Sequence, residues 1–107
     1  MLMKNHVLII QHAMTKLEGL IQRSSLSAEM KQLTLESVRS VDANLVVSIC
    51  ESASTPLTRG NVAYLLCFLA RIDTKVIASI FLVEPSTVYT ARYRLNLRCN
   101  ADGMLRI

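Results

Sequence analysis

Residues 72–98 read IDTKVIASIFLVEPSTVYTARYRLNLR, and this stretch decides the fold. Two short amphipathic helical patterns meet in it at a tight break. The first spans Asp73–Leu82, with Asp73 as its cap and Ile77, Ala78, Ile80 and Phe81 facing inward. The break falls at Leu82-Val83-Glu84. The second pattern opens at Pro85, whose fixed φ and missing N–H suit a first helical position. It runs to about Arg98 and places Val88, Ala91 and Leu95 inward. This layout predicts a helix-turn-helix, in which the second helix is offered to the major groove of DNA.

Immediately upstream, Ser52–Leu57 (SASTPL) reads as a linker of small polar residues ending in proline. Thr58 then caps a helix over about Arg59–Arg71. Its third position is Asn61, where a capping box would want Glu or Gln, so a partial cap is expected. Val62, Leu65, Leu66 and Leu69 form its buried stripe. Tyr64, Cys67 and Phe68 extend the apolar surface toward the front of the chain, which predicts a central helix.

Further out, Met3, Val7, Ile10, Met14, Leu17 and Ile21 follow a heptad-like spacing, widened by Leu8, Ile9, Ala13 and Leu20. That helix should end near Ser24-Ser25. Ser27 can cap a second helix, with Glu29 in its first turn, running to about Ser52 and burying Met30, Leu33, Val38, Val41, Leu45 and Ile49. The pair predicts an αα-hairpin. Its stripe reads either as a dimerisation seam or as internal packing onto the back half. The expected fold class is therefore all-α: an N-terminal helical hairpin over 1–55, then a three-helix helix-turn-helix domain over 56–107. The tail from Asn100, with Gly103, reads as a frayed end or a short extension.

Composition agrees with a helical fold. The 107 residues include only 3 Gly and 2 Pro and are 51% apolar. The net charge of +4 is uneven. Residues 1–55 balance their charges, whereas residues 56–107 carry Arg59, Arg71, Lys75, Arg92, Arg94, Arg98 and Arg106 against Asp73, Glu84 and Asp102. Excess cations beside the candidate motif suit a polyanionic partner. The aromatics Tyr64, Phe68, Phe81, Tyr89 and Tyr93 all lie in the same half.

Other functional classes have little to stand on. Cys50, Cys67 and Cys99 are an odd set without close spacing, which gives no disulfide framework and fits a reducing cytoplasm. His6 and His12 fall on different helix faces without ligands at metal spacing. No nucleophile–base or paired-carboxylate constellation is present, so no catalysis and no cofactor are expected. The longest uncharged apolar run, Val62–Ala70, is too short to span a bilayer.

Thr58–Arg98 resembles a LuxR-type (GerE-like) helix-turn-helix domain, in the version that ends bacterial sensor regulators with tetratricopeptide repeats. The matching residues are the Thr58 cap, the apolar helix after it, DTKVIASIF with Asp73-Thr74-Lys75 and Ile77-Ala78, and PSTV followed by ARYRL at Ala91–Leu95. They cover about 40 of the 107 residues. The sequence departs from that pattern at Val76, at Leu82 where glycine is favoured, at Glu84 before the proline, and in the basic end, here Asn96-Leu97-Arg98. The resemblance implies a DNA-binding transcriptional regulator, or its C-terminal effector domain, acting on double-stranded DNA; the front-helix stripe adds the expectation of a homodimer.

With Val88, Ala91 and Leu95 inward, steps of 100° bring Ser86, Tyr89, Thr90, Tyr93 and Leu97 outward. The candidate DNA-contacting set is Thr74, Lys75, Ser86, Thr87, Tyr89, Thr90, Arg92, Tyr93, Arg94 and Arg98. Thr90 suits a thymine methyl or a phosphate, and the tyrosine hydroxyls suit phosphates or base edges. Arg92, close to the inner face, reads equally as an internal contact. Thr74 and Lys75 start a helix where a phosphate is favoured, and Arg98 would extend the phosphate track. A face rich in Tyr and poor in Arg predicts modest monomer affinity, with dimerisation through Met3, Val7, Ile10, Met14, Leu17 and Ile21 supplying the rest. The alternative is a protein-interaction module on the same fold that does not bind DNA.

Overall fold

The computed structural model describes residues 2–99, with side chains from His6 onward. It is all-helical, and no strand occurs among the described residues. The elements are α1 (Leu2–Arg23), α2 (Ala28–Arg39), α3 (Ala43–Ser52), α4 (Arg59–Leu69), α5 (Thr74–Phe81) and α6 (Pro85–Cys99). The tail from Asn100, including Gly103 and Arg106, lies outside the described residues.

The second front helix is not continuous. It breaks at Ser40–Asp42 because Asp42 turns extended and its carboxylate accepts the Asn44 N–H at 2.9 Å, capping α3. Aspartate gains more from a cap than from a mid-helix position, and that local gain ends α2. Ser27 caps α2 as expected, accepting the Met30 N–H at 3.1 Å. The shortened α2 buries Thr34, Leu35 and Val38, while Met30 and Leu33, expected inside, are exposed.

α1 packs most extensively on α4 and also touches α2, α3 and α5. Ala13, Leu17 and Ile21 are wholly buried, and Ile10 and Met14 pack partly against the same cluster. The heptad-like stripe is thus largely internal, which corrects the dimerisation reading for Leu17 and Ile21: neither has surface to offer a partner. Val7 is exposed, and the Met3 side chain lies outside the described ones. One exposed ion pair, Arg39 Nε to Glu18 at 2.8 Å, links α2 to α1.

α4 is central, as its all-round apolar sequence predicts, with Val62, Ala63, Leu65, Leu66, Cys67 and Phe68 buried. One continuous cluster of buried side chains joins α1 and α3 to α4, α5 and α6. α4 ends in a left-handed residue, Arg71 at φ 60°. The Ile72 N–H then reaches back to the Cys67 carbonyl and the Arg71 N–H to that of Phe68, each at 3.1 Å. This Schellman closure reverses the chain into α5.

Candidate nucleic-acid interface

Three residues, Leu82–Glu84, separate α5 from α6, and these two helices pack on each other. Asp73 caps α5, its carboxylate accepting the Lys75 N–H at 3.2 Å. At the other end Leu82 adopts φ 57° and ψ 48°, the left-handed conformation that lets the chain turn between the helices. The Val83 N–H bonds back to the Ala78 carbonyl at 3.0 Å. Leucine holds this conformation although its Cβ disfavours it, because Ile77, Ala78 and Ile80 before it and Val88 after it are locked in the core. The Leu82 side chain itself is 86% exposed.

A stack of side chains sets α6 against α4. The Phe81 ring, at the end of α5, lies parallel to Tyr64 of α4 with centroids 4.2 Å apart and an 11° interplanar angle. Tyr64 is followed by Phe68 at 6.0 Å. The Arg92 guanidinium caps the stack 4.7 Å from the Phe68 centroid, a cation–π contact. Tyr64 thus meets α5 through Phe81, and Phe68 meets α6 through Arg92. Partial burial, with help from the Cys67 thiol, raises the Tyr64 hydroxyl above its ordinary pKa.

The inner and outer faces of α6 divide as the periodicity predicts. Val88, Leu95 and Cys99 are buried and Ala91 is half-buried. Ser86, Thr87, Tyr89, Thr90, Tyr93, Arg94 and Leu97 are exposed. Lys75 is exposed at the start of α5 and Thr74 beside it is half-buried. The Lys75 N–H already serves Asp73, so the free cationic group there is the lysine ammonium.

Two of the predicted contacts have other duties. Arg92 is held on Phe68. Arg98 is anchored by three bonds: Nε donates to Thr55 Oγ1 at 3.1 Å, Nη1 to Asn61 Oδ1 at 3.1 Å, and Nη2 to the Pro56 carbonyl at 2.8 Å. An extended phosphate track through Arg98 is corrected on this ground: its donors point back into the protein.

Sequence reasoning missed the reason for this anchor. Asn61 completes the capping box, its side chain accepting the Thr58 N–H while Thr58 Oγ1 accepts the Asn61 N–H, both at 3.1 Å. The cap is full, not partial; asparagine is long enough to close the loop. The predicted linker, Ser52–Leu57, likewise does more than connect: Ser52 is the last residue of α3, and it and Ser54 both bond to the end of α6. The Ser54 N–H donates to the Arg98 carbonyl at 2.8 Å and the Ser52 hydroxyl to that of Cys99 at 2.9 Å. These bonds satisfy carbonyls that the end of α6 would otherwise leave open.

The cysteines are free. Burial pushes Cys67 up to about 12. Burial, then the neighbouring Cys99 and Glu51, pushes Cys50 to about 11. Cys99 is raised by burial against an opposing pull from Arg98. All three are thiols, not thiolates, near neutral pH. Among the described residues no three His, Cys, Asp or Glu side chains gather to hold a metal ion, and no helix is long and apolar enough to cross a membrane.

No protein-family model matches the chain, and no curated protein or solved structure is significantly similar to it.

Proposed function

We propose that this chain is a DNA-binding transcriptional regulator, or the effector domain of one, that inserts α6 into the major groove. One observation carries the reading. Ser86, Thr87, Tyr89, Thr90, Tyr93 and Arg94 stand exposed along a helix joined to α5 by a tight turn and fixed from behind by the core. A rigid, outward-facing helix of this length fits the major groove. The likeness of Thr58–Arg98 to LuxR-type domains supports the same reading, and its setting would be the cytoplasm.

The exposed cations at Lys75 and Arg94 are few, so binding by one copy would be modest and a homodimer would gain by joining two weak contacts. Val7 and Leu8, 42% and 47% exposed near the start of α1, are apolar side chains available for such a contact, as are Met30 and Leu33 on α2. Fluorescence anisotropy of a labelled duplex, titrated with the protein over a range of salt, tests the proposal. Binding that weakens steeply with salt is expected; no binding at low salt by monomer or dimer overturns it.

A second reading is a protein-interaction module. It is favoured by the apolar row Tyr89, Tyr93 and Leu97, at 46%, 59% and 65% exposure, and by the internal duties of Arg92 and Arg98. In that case a Tyr89→Ala, Tyr93→Ala double variant loses a protein partner while DNA affinity stays unmeasurable.

A further inference from the structure

We infer that Thr90 reads the C5-methyl group of thymine, an assignment that rests on the DNA-binding reading above. Thr90 lies in the middle of the exposed face of α6. Its hydroxyl donates to the Ser86 carbonyl one turn back, at 3.0 Å. This back-bond is the usual way for a mid-helix threonine to satisfy its hydroxyl internally. With the hydroxyl proton engaged there, the Cγ2 methyl is the group Thr90 has left for an apolar contact. Tyr89 and Tyr93, at 46% and 59% exposure, lie on one side of Thr90 along the helix, and Thr87 and Arg94 lie on the other. The apolar group at the centre of the face is thus the Thr90 methyl itself, with tyrosine rings to one side.

Thymine is the one base whose major-groove edge carries an apolar group, and a threonine methyl packs on it directly. The exposed residues from Ser86 to Arg94 include no Asn or Gln for bidentate adenine contacts, and Arg94 is their only guanidinium. Sequence preference at the centre of the site then follows from methyl–methyl packing. A thymine-to-uracil change, which removes only the C5-methyl, isolates that contact and leaves every hydrogen-bonding group in place.

The experiment uses the full chain and a pool of random duplexes containing thymine. The duplex enriched by the wild-type protein is remade with deoxyuridine replacing thymine at one position at a time. Each version is titrated with the wild type and with Thr90→Ser, which keeps the hydroxyl and deletes the methyl. At one position uracil lowers wild-type affinity about fourfold, the value of one buried methyl-sized group. Thr90→Ser binds the thymine duplex about as weakly as the wild type binds the uracil one, and no longer distinguishes them. Equal wild-type affinity for thymine and uracil duplexes overturns the inference while leaving DNA binding intact. A uracil effect that survives undiminished in Thr90→Ser overturns the assignment to Thr90. Failure of any duplex to bind overturns the DNA-binding reading itself, and this inference with it.

Discussion

Arg98 Nη1 donates to Asn61 Oδ1 at 3.1 Å, tying the last turn of α6 to the first turn of α4. The same oxygen accepts the Thr58 N–H at 3.1 Å. One amide carbonyl thus closes the cap of one helix and orients the arginine that ends another. The basic residue that looks like part of a phosphate track is a brace.

Arg98→Ala should therefore destabilise the fold by about 1–3 kcal/mol, because it strips partners from Asn61, Thr55 and the Pro56 carbonyl at a half-buried site. For a domain of this size each kcal/mol lowers Tm by about 4–8 °C. Asn61→Ala should cost a similar amount, and the double variant less than the two together, since both substitutions break the same contact. Urea unfolding of the two single variants and the double variant checks this. Strict additivity would show that the contact carries no coupling.

Leu82 holds φ 57° with its side chain 86% exposed, so it bears backbone strain without gaining burial. A left-handed non-glycine residue costs about 1–2 kcal/mol, of which glycine returns up to about 1 through its freer unfolded chain. Leu82→Gly should raise stability by about 0.5–1 kcal/mol, and Leu82→Asn by a comparable amount. A higher urea midpoint with an unchanged slope is the expected result.

The parts of this fold legible in the sequence are those governed by periodicity. Val88, Ala91 and Leu95 inward and Tyr89, Thr90 and Tyr93 outward follow from 100° steps, and the structure agrees. The caps Ser27, Thr58 and Asp73 were also legible, because a short polar side chain before an apolar run has one favourable use. Asp42 obeys the same rule but was hidden inside a pattern that kept an approximate helical period across it. The heptad-like stripe of α1 could not by itself separate a seam between two chains from a face buried within one. Leu17 and Ile21 answer that through the position of α4, which no local pattern encodes. Arg98 was misread, and Arg92 was left between two readings, for a related reason. A long cation on a helix flank looks alike whether its partner is a phosphate or a ring and a carbonyl elsewhere in the chain.

The buried thiols make stability fall in alkali. Cys67 is pushed to about 12 from an unfolded value of 9.0, so only the unfolded chain loses this proton between those limits. The contribution is complete below about pH 9 and is lost as pH rises toward 12, with a slope of up to about 1.4 kcal/mol per pH unit for this group. Cys67→Ala lacks it. The variant should start less stable at pH 8 because of the small void, and the gap to the wild type should narrow by pH 10.5. A thiol reagent should label Cys67 in the native protein only on the timescale of unfolding.

The division between bracing and free cations has a direct consequence in DNA titrations. Each cation that neutralises a phosphate contributes about 0.9 to the slope of log affinity against log salt. Lys75 and Arg94 are exposed, whereas Arg92 sits on Phe68 and Arg98 serves Asn61, Thr55 and Pro56. Lys75→Ala and Arg94→Ala should each flatten the salt slope by about one unit while leaving the unfolding midpoint nearly unchanged. Arg92→Ala and Arg98→Ala should do the reverse, lowering the midpoint and leaving the slope of the remaining folded protein alone. Measuring both quantities on the same four variants separates the groups. A slope that drops for Arg98→Ala under conditions where the variant is folded would mean that the brace opens on DNA and that its guanidinium moves to a phosphate.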